Sequence, residues 1–197
     1  MSTAQIVAGA IVAVVVFWAI GAYNRLVRLR NAIANAYAQI DVQLKRRHDL
    51  IPNIVEVARR YLQHEQDTLE RVTAARNQAR AAADIARSQP TAAGTLGSLA
   101  LAEGVLDGAV ARLMAVVEAY PELKADQHLR ELAEELTSTE NKVAFARQLF
   151  NDAVLDYNNA AQQVPTNVVA SLGGFQVAAM LQATQAPAER EPVRVAL

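Results

Sequence analysis

Cysteine is absent from the 197 residues, which excludes disulfides, thiolate metal sites and a cysteine nucleophile. Glycine (8) and proline (6) are scarce, which leaves too few turn residues for the hairpins of an all-β fold. A basic excess is also absent, since the formal net charge is −1, and this argues against nucleic acid as a partner. Alanine, the strongest helix former, occurs 40 times. The composition predicts an all-α protein.

Charged side chains are missing from the first 24 residues. Residues 6–22 read IVAGAIVAVVVFWAIGA and, with their neighbours, reach the roughly 20 residues that a helix needs to cross a bilayer. Trp18 and Tyr23 lie toward the end of this segment, where amphipathic rings favour the headgroup layer. We predict a transmembrane helix over 6–22, with residues 1–5 outside. A cleaved signal peptide is the alternative, but residues 1–5 lack the expected Lys or Arg.

Lysine and arginine begin only after this apolar segment. Residues 25–49 contain six cations against two acids, and the cations are Arg25, Arg28, Arg30, Lys45, Arg46 and Arg47. The positive-inside rule therefore predicts a single-pass protein of the inner (plasma) membrane with its later residues in the cytoplasm. We also expect membrane lipids to be partners of the nearest arginines.

Apolar residues repeat every seven positions in the segments between prolines. This spacing predicts helices over 24–48, 52–87, 93–119 and 122–162. The clearest row consists of Leu129, Leu136, Val143, Phe150, Tyr157 and Val164. The row pattern also continues through Pro52, so the residues allow two folds. One is an antiparallel four-helix bundle with a reversal at Pro52, where Asp49 would cap the next helix. The other is a three-helix bundle whose long first helix is kinked at Pro52.

Residues 23–183 form the predicted helical domain, including an apolar segment after Pro165 with a Gly173-Gly174 break. This segment either packs on the helices or serves as an interaction segment. Residues 184–197 have the composition of a disordered tail.

Residues for catalysis or metal binding are scarce. The histidines His48, His64 and His128 form no Glu-x-x-His pair, and no phosphate loop or nucleophile elbow is present. We therefore predict no catalytic residue, cofactor or metal. Glu103 lies on an apolar stripe, which indicates either a rim position or an ion pair with Arg76 or Lys142.

Several sequence runs resemble one known family. Residues 23–61, YNRLVRLRNAIANAYAQIDVQLKRRHDLIPNIVEVARRY, closely resemble the signature of the LemA family. Further matches are E-x-Y-P-E-L-K-A at 118–125, T-E-N-K at 139–142, F-N-D-A-V-x-x-Y-N at 150–158 and V-P-x-N-x-V-A at 164–170. Phe150 departs from the pattern, since the family usually has tyrosine there.

The resemblance implies one N-terminal membrane helix and a cytoplasmic antiparallel four-helix bundle, which favours the reversal at Pro52. It also implies a non-enzymatic role. One relative of the family serves magnetosome membranes, and a membrane metalloprotease is a candidate partner.

The predicted function is that of a membrane-anchored scaffold or adaptor that self-associates and organises membrane proteins. The alternatives are a membrane-bound hydrolase that uses His48 or His128, and an envelope-signalling protein. The candidate interaction or helix-corner residues are Asp41, Gln43, Lys45, Arg46, Arg47, Asp49, Pro52, Glu118, Pro121, Lys124, Glu140 and Asn141. The alternative for Lys45 to Arg47 is a solvated helix end, with the cations near its C-terminal dipole.

Overall fold

The computed structural model describes residues 2–181, so the predicted tail at 184–197 lies outside the described residues. The helices are α1 (Thr3–Arg59), α2 (Gln66–Ser88), α3 (Ala93–Ala119), α4 (Pro121–Ala125), α5 (Gln127–Gln162) and α6 (Thr166–Leu172). No strand occurs in the described range, and the predicted all-α class is confirmed there.

Helix α1 has 57 residues and two different parts. Its first part is apolar on every side, is exposed, and is long enough to cross a membrane. From Leu26 onward one face is buried against the other helices. No loop separates the two parts, so the predicted membrane segment and the helical domain share one helix.

The predicted chain reversal at Pro52 is wrong. Helix α1 continues through Pro52 to Arg59, and the chain turns at residues 60–65 instead. Pro52 has no N–H to donate to the carbonyl oxygen of His48, one turn earlier. The Nε of Arg76 on α2 donates to that oxygen at 2.9 Å and replaces the missing bond. The long first helix of the alternative fold is therefore correct, and Asp49 caps no helix.

The core is built from α1, α2, α3 and α5. The predicted row on α5 is buried at Leu129, Leu136, Val143, Phe150 and Tyr157. Its last member, Val164, is exposed because α5 ends at Gln162. The repeat therefore predicted the buried face correctly for as long as the helix lasts.

Two contacts define the relative direction of α1 and α5. The ring centroids of Tyr37 on α1 and Phe150 on α5 are 5.9 Å apart. Arg46, which comes later on α1, bonds to Glu135, which comes earlier on α5. Residue numbers thus rise along α1 as they fall along α5. The two helices are antiparallel, although they are not consecutive in the chain.

The predicted helix over 122–162 is divided at Asp126 into α4 and α5. Pro121 begins α4 at the first helical position, as predicted. The Asp126 carboxylate caps α5 by accepting a 2.9 Å hydrogen bond from the N–H of Leu129. This bond lowers the pKa of Asp126.

The apolar segment after Pro165 packs on the helices. Helix α6 ends at a Gly173-Gly174 turn, where Gly174 has a φ of +69°. Residues 175–181, here called the strap, then run without helix along α5. Two asparagine side chains of α5 hold the strap: Asn158 bonds both backbone groups of Ala178, and Asn151 bonds both of Leu181, at 2.9–3.0 Å.

Candidate functional site

A network of charged side chains lies in the middle of the helical core. Arg47 and His48 of α1 meet Glu103 of α3, and all three are at most 2% exposed. Arg47 Nη1 donates to Glu103 Oε2 at 2.6 Å, and His48 Nε2 lies 2.9 Å from Oε1. Both oxygens of the buried carboxylate are therefore occupied by α1.

The same arginine also reaches two half-exposed carboxylates. Its Nη2 donates to Asp107, one turn after Glu103 on α3, and lies 3.4 Å from Glu140 on α5. One guanidinium therefore joins three helices. Its planar fork of donors suits several carboxylates at once.

The environment keeps this pair ionised. Burial acts to lower the pKa of Arg47, but the charges of Asp107 and Glu103 outweigh it and the pKa is raised. Burial acts to raise the pKa of Glu103, yet the His48 hydrogen bond and the Arg47 charge leave it lowered. Arg47 and Glu103 are thus charged partners at neutral pH.

A cavity of about 410 Å³ between α3 and α5 borders this network. Asp107, Glu140 and Arg147 line its polar side, and Leu136 lines its apolar side. Burial lowers the pKa of Arg147, and its Nε has no hydrogen-bond partner among the described residues.

The chemistry of the network favours a structural role. Glu103 could accept a proton only by giving up Arg47 or His48, and His48 Nε2 is held by the same carboxylate. Within residues 2–181, no three His, Asp or Glu side chains are grouped so that they could hold a metal ion. The arrangement fixes the relative positions of α1, α3 and α5.

Asp41 makes a second ionic link, between α1 and α2. Its two oxygens accept from Nε and Nη2 of Arg87 at 3.0 and 2.9 Å, and Lys45 lies 3.5 Å away. Burial and the Asp41 charge raise the pKa of Tyr37 beside it. Asp41 is therefore a helix-pairing residue.

Several other predicted residues lie at corners or on the surface. Lys124 and Glu118 pair at 2.5 Å across Pro121, where α3 meets α4, as the helix-corner interpretation requires. Asp49 and Pro52 are exposed on α1.

Gln43 and Asn141 come together in a groove of about 680 Å³ between α1 and α5. Gln39, Phe145 and Leu149 also line this groove, here called the α1–α5 groove. The Gln43 Oε1 has no hydrogen-bond donor within the described chain. The groove combines amides with exposed apolar side chains.

Two expectations about charged residues are corrected by the structure. Arg47 is no solvated helix end, because α1 continues past it and buries it. Glu103 pairs with Arg47 and His48, and neither Arg76 nor Lys142 is its partner. The first error follows from the predicted helix boundary before Pro52, and the second from the 56 residues that separate Arg47 and Glu103 in the chain.

Sequence reasoning missed some residues that the structure uses. Asp107 follows Glu103 by four positions, a spacing that places both on one helix face. Asn151 and Asn158 are seven apart within the F-N-D-A-V-x-x-Y-N run. That spacing was the available signal for these two asparagines that bind the strap, here called the clamp.

The fold and the site define a membrane-associated, all-helical protein whose buried charges are paired with one another. The sequence model of the LemA family matches residues 36–197, and the chain belongs to the LemA family.

Curated relatives of this chain include three magnetosome proteins. Magnetosome proteins MamQ 1 and MamQ 2 of Paramagnetospirillum magneticum are each 33% identical over 92 residues, which is 47% of this chain and 33% of each relative. Magnetosome protein MamQ of Magnetospirillum gryphiswaldense is 32% identical over 75 residues, or 38% of this chain and 28% of the relative. The chain thus matches about a third of the length of these relatives.

Proposed function

We propose that this LemA-family chain is a non-catalytic, membrane-anchored scaffold that self-associates. Its four long helices would act as one antiparallel bundle on the cytoplasmic face of the inner membrane. The observation that carries the proposal is the unbroken helix α1, in which the exposed apolar part and the buried part are continuous.

A continuous helix holds the helical domain at a fixed distance from the membrane, whereas a flexible linker does not. At about 1.5 Å per residue, Arg47 lies roughly 37 Å along α1 from Ala22. The charged network then attaches α3 and α5 to α1 at that point. Every copy would therefore present the same faces at the same height above the membrane, as an organising protein requires.

Self-association is proposed to use the α1–α5 groove, with a second copy as the occupant. Phe145 is 63% exposed and Leu149 is 44% exposed in this groove, and such apolar patches are typical of association sites. Amide side chains both donate and accept, so Gln39 and Asn141 are compatible with the same face of another copy. Copies with one orientation in one plane also have a raised effective concentration.

The test compares two charge substitutions in the full-length protein in mild detergent. Phe145→Glu places a carboxylate in the groove, whereas Leu101→Glu does so at a 76% exposed leucine on α3. Light scattering should show oligomers for the wild type and Leu101→Glu, and smaller species for Phe145→Glu. A wild-type protein that is monomeric at micromolar concentration would contradict self-association, and equal masses for all three would contradict this groove.

Organisation of other membrane proteins is the remaining part of the proposal, with a membrane metalloprotease as one candidate partner. Crosslinking in native membranes followed by mass spectrometry tests it directly. Recovery of the same membrane protein with the wild type and Leu101→Glu supports an adaptor role. Recovery of this chain alone would restrict the function to self-assembly.

A further inference from the structure

We propose that α6 is a second membrane contact, in which Val168 and Leu172 enter the lipid headgroup region beside the end of the transmembrane segment. The proposal rests on the proposed function in one respect, namely that α1 spans the bilayer. It assigns a lipid surface as the partner of the exposed side of a helix whose other side packs on α1 and α5.

The first step is the position of α6 relative to the apolar part of α1. Tyr23 is the first residue after the segment 6–22, and its ring lies 5.2 Å from that of Phe175 in an edge-to-face contact. One turn later, Leu26 is fully buried in a cluster that includes Ala170 of α6. The Leu26 cluster holds α6, and the Tyr23 contact holds the start of the strap directly after it, within about one helical turn, roughly 5 Å, of the end of the segment 6–22.

The second step is the exposed face of this region. Leu172 is 86% exposed and Val168 57%, and they lie four residues apart on one side of α6. Val164, directly before α6, is 82% exposed. These apolar side chains gather where the chain meets the membrane, and a lipid surface would remove them from water.

The third step is the distribution of charge at this end of the molecule. The sequence has no charged residue between Asp156 and Glu189, a span that includes α6 and the strap. The charged residues of α1 nearest the bilayer are Arg25, Arg28 and Arg30, all exposed. Apolar side chains at the same end of the molecule as three exposed arginines are suited to an anionic leaflet.

A membrane is favoured over a second copy because only the membrane is fixed in position by α1. A partner protein could approach any exposed face, whereas the bilayer must lie at the end of the segment 6–22. Two attachment points, α1 and α6, would fix the tilt of the helical domain as well as its distance from the membrane.

The absence of cysteine allows a clean labelling experiment on the full chain. Single variants Val168→Cys, Leu172→Cys and Leu101→Cys carry an environment-sensitive fluorophore in vesicles of phosphatidylcholine and phosphatidylglycerol. Leu101 of α3 is the control because it is 76% exposed, against 86% for Leu172. It lies two residues from Glu103, which meets α1 at Arg47, far from the bilayer. Trp18, the chain's sole tryptophan, reports insertion of α1 independently.

The expected result is blue-shifted emission at 168 and 172, with quenching by nitroxide lipids and protection from aqueous iodide. The label at 101 should show the opposite behaviour. Val168→Glu should abolish the lipid quenching at 172, while Leu101→Glu should leave it unchanged. Vesicles of phosphatidylcholine alone should show weaker quenching if the arginines contribute.

Two outcomes would overturn the proposal. Iodide access at 168 and 172 equal to that at 101 would place α6 in water, and protection from both quenchers would indicate cover by protein. In either case, Trp18 quenched by nitroxide lipids would leave the membrane anchor intact, whereas unquenched Trp18 would contradict the anchor itself.

Discussion

Glu103 illustrates how much a single residue contributes in this protein. It is fully buried and satisfies both Arg47 and His48. Burial of ions costs free energy, and this cost is offset only while the partners remain complete. The network therefore determines the relative positions of helices more than it adds to net stability.

We expect Glu103→Leu to destabilise the protein by ~3 kcal/mol, because Arg47 loses its fully buried partner and keeps only the half-exposed Asp107 and Glu140. The double variant Glu103→Leu with Arg47→Met should recover much of this loss, since no buried ion then remains unpaired. Urea unfolding followed by circular dichroism measures both. A double variant less stable than Glu103→Leu would contradict a mainly ionic origin of the loss.

The same carboxylate should make stability dependent on acid pH. The pKa of Glu103 is lowered in the folded chain, so its stabilisation is fully present above the unfolded value of about 4.3. It is lost as the pH falls through the lower, folded value. We expect the stability difference between the wild type and Glu103→Gln to shrink below about pH 4. Comparison of the two isolates this group from other carboxyls, such as Asp126. A pH-independent difference would contradict this assignment.

At the scale of the helices, Pro52 of α1 and Arg76 of α2 act on the same backbone oxygen, that of His48. The proline removes one helical hydrogen bond, and the arginine from α2 supplies a donor to the carbonyl oxygen that lost its partner. This bond supports α1 at Pro52, where the residues alone allowed either a reversal or a kinked helix and the family resemblance favoured the reversal. The same bond also links α1 to α2.

Arg76→Ala should cost about 1–3 kcal/mol in the wild type, because the His48 carbonyl oxygen is left without this donor. In a Pro52→Ala background the cost should be smaller, since residue 52 regains an N–H for that oxygen. A double-mutant cycle in urea measures the coupling. The contact of Arg76 with Asp49 is common to both backgrounds and cancels. Strictly additive effects would show that the arginine does not replace the missing bond.

The clamp on the strap is a second element-scale device. An asparagine amide matches one backbone N–H and one C=O, so it can hold an extended segment as a neighbouring strand would. Asn158 and Asn151 do this at Ala178 and Leu181. The strap is thereby attached through its backbone, while Ala178 and Leu181 also bury their side chains.

Asn158→Ala should release the strap and leave α5 helical. Hydrogen exchange should then become faster at the amides of Ala178 and Leu181, because their cover opens locally. Asn159→Ala is the matched control, since Asn159 is the exposed neighbour and its side chain makes no bond to the strap. Equal exchange in the two variants would contradict a clamping role for Asn158.

The distribution of charge along the chain predicts how the whole molecule is oriented across the membrane. The apolar part of α1 is preceded by no Lys or Arg and is followed by Arg25, Arg28 and Arg30. This asymmetry predicts that the helical domain faces the cytoplasm. The proposed placement of the scaffold on the cytoplasmic face depends on that orientation.

Orientation is testable with single cysteines in intact cells. A maleimide that cannot cross the inner membrane should label Ser2→Cys in cells whose inner membrane is intact. It should label Leu101→Cys only after the inner membrane has been lysed. Both residues are exposed, so access to the reagent decides the result. Labelling of Leu101→Cys before lysis would reverse the predicted topology.

The sequence by itself determined the helical class, the apolar segment at 6–22 and the buried rows such as Leu129, Leu136 and Val143. These features follow from local composition and period, which act along the chain. The helix over 93–119 was predicted with the bounds that α3 has. The Tyr120-Pro121 corner was likewise readable, because Pro121 occupies the first turn of a helix.

Only the tertiary structure decided the rest. A proline normally indicates a boundary, and the carbonyl oxygen that Pro52 leaves without a donor is bonded by Arg76, 24 residues further along the chain. The ion pair of Arg47 with Glu103 joins positions 56 residues apart, so no local pattern could select it over other charged residues. The strap likewise depends on backbone atoms that meet Asn151 and Asn158 only after α6 turns the chain back. Each of these contacts links distant residues, and their pairing is fixed by how the helices pack.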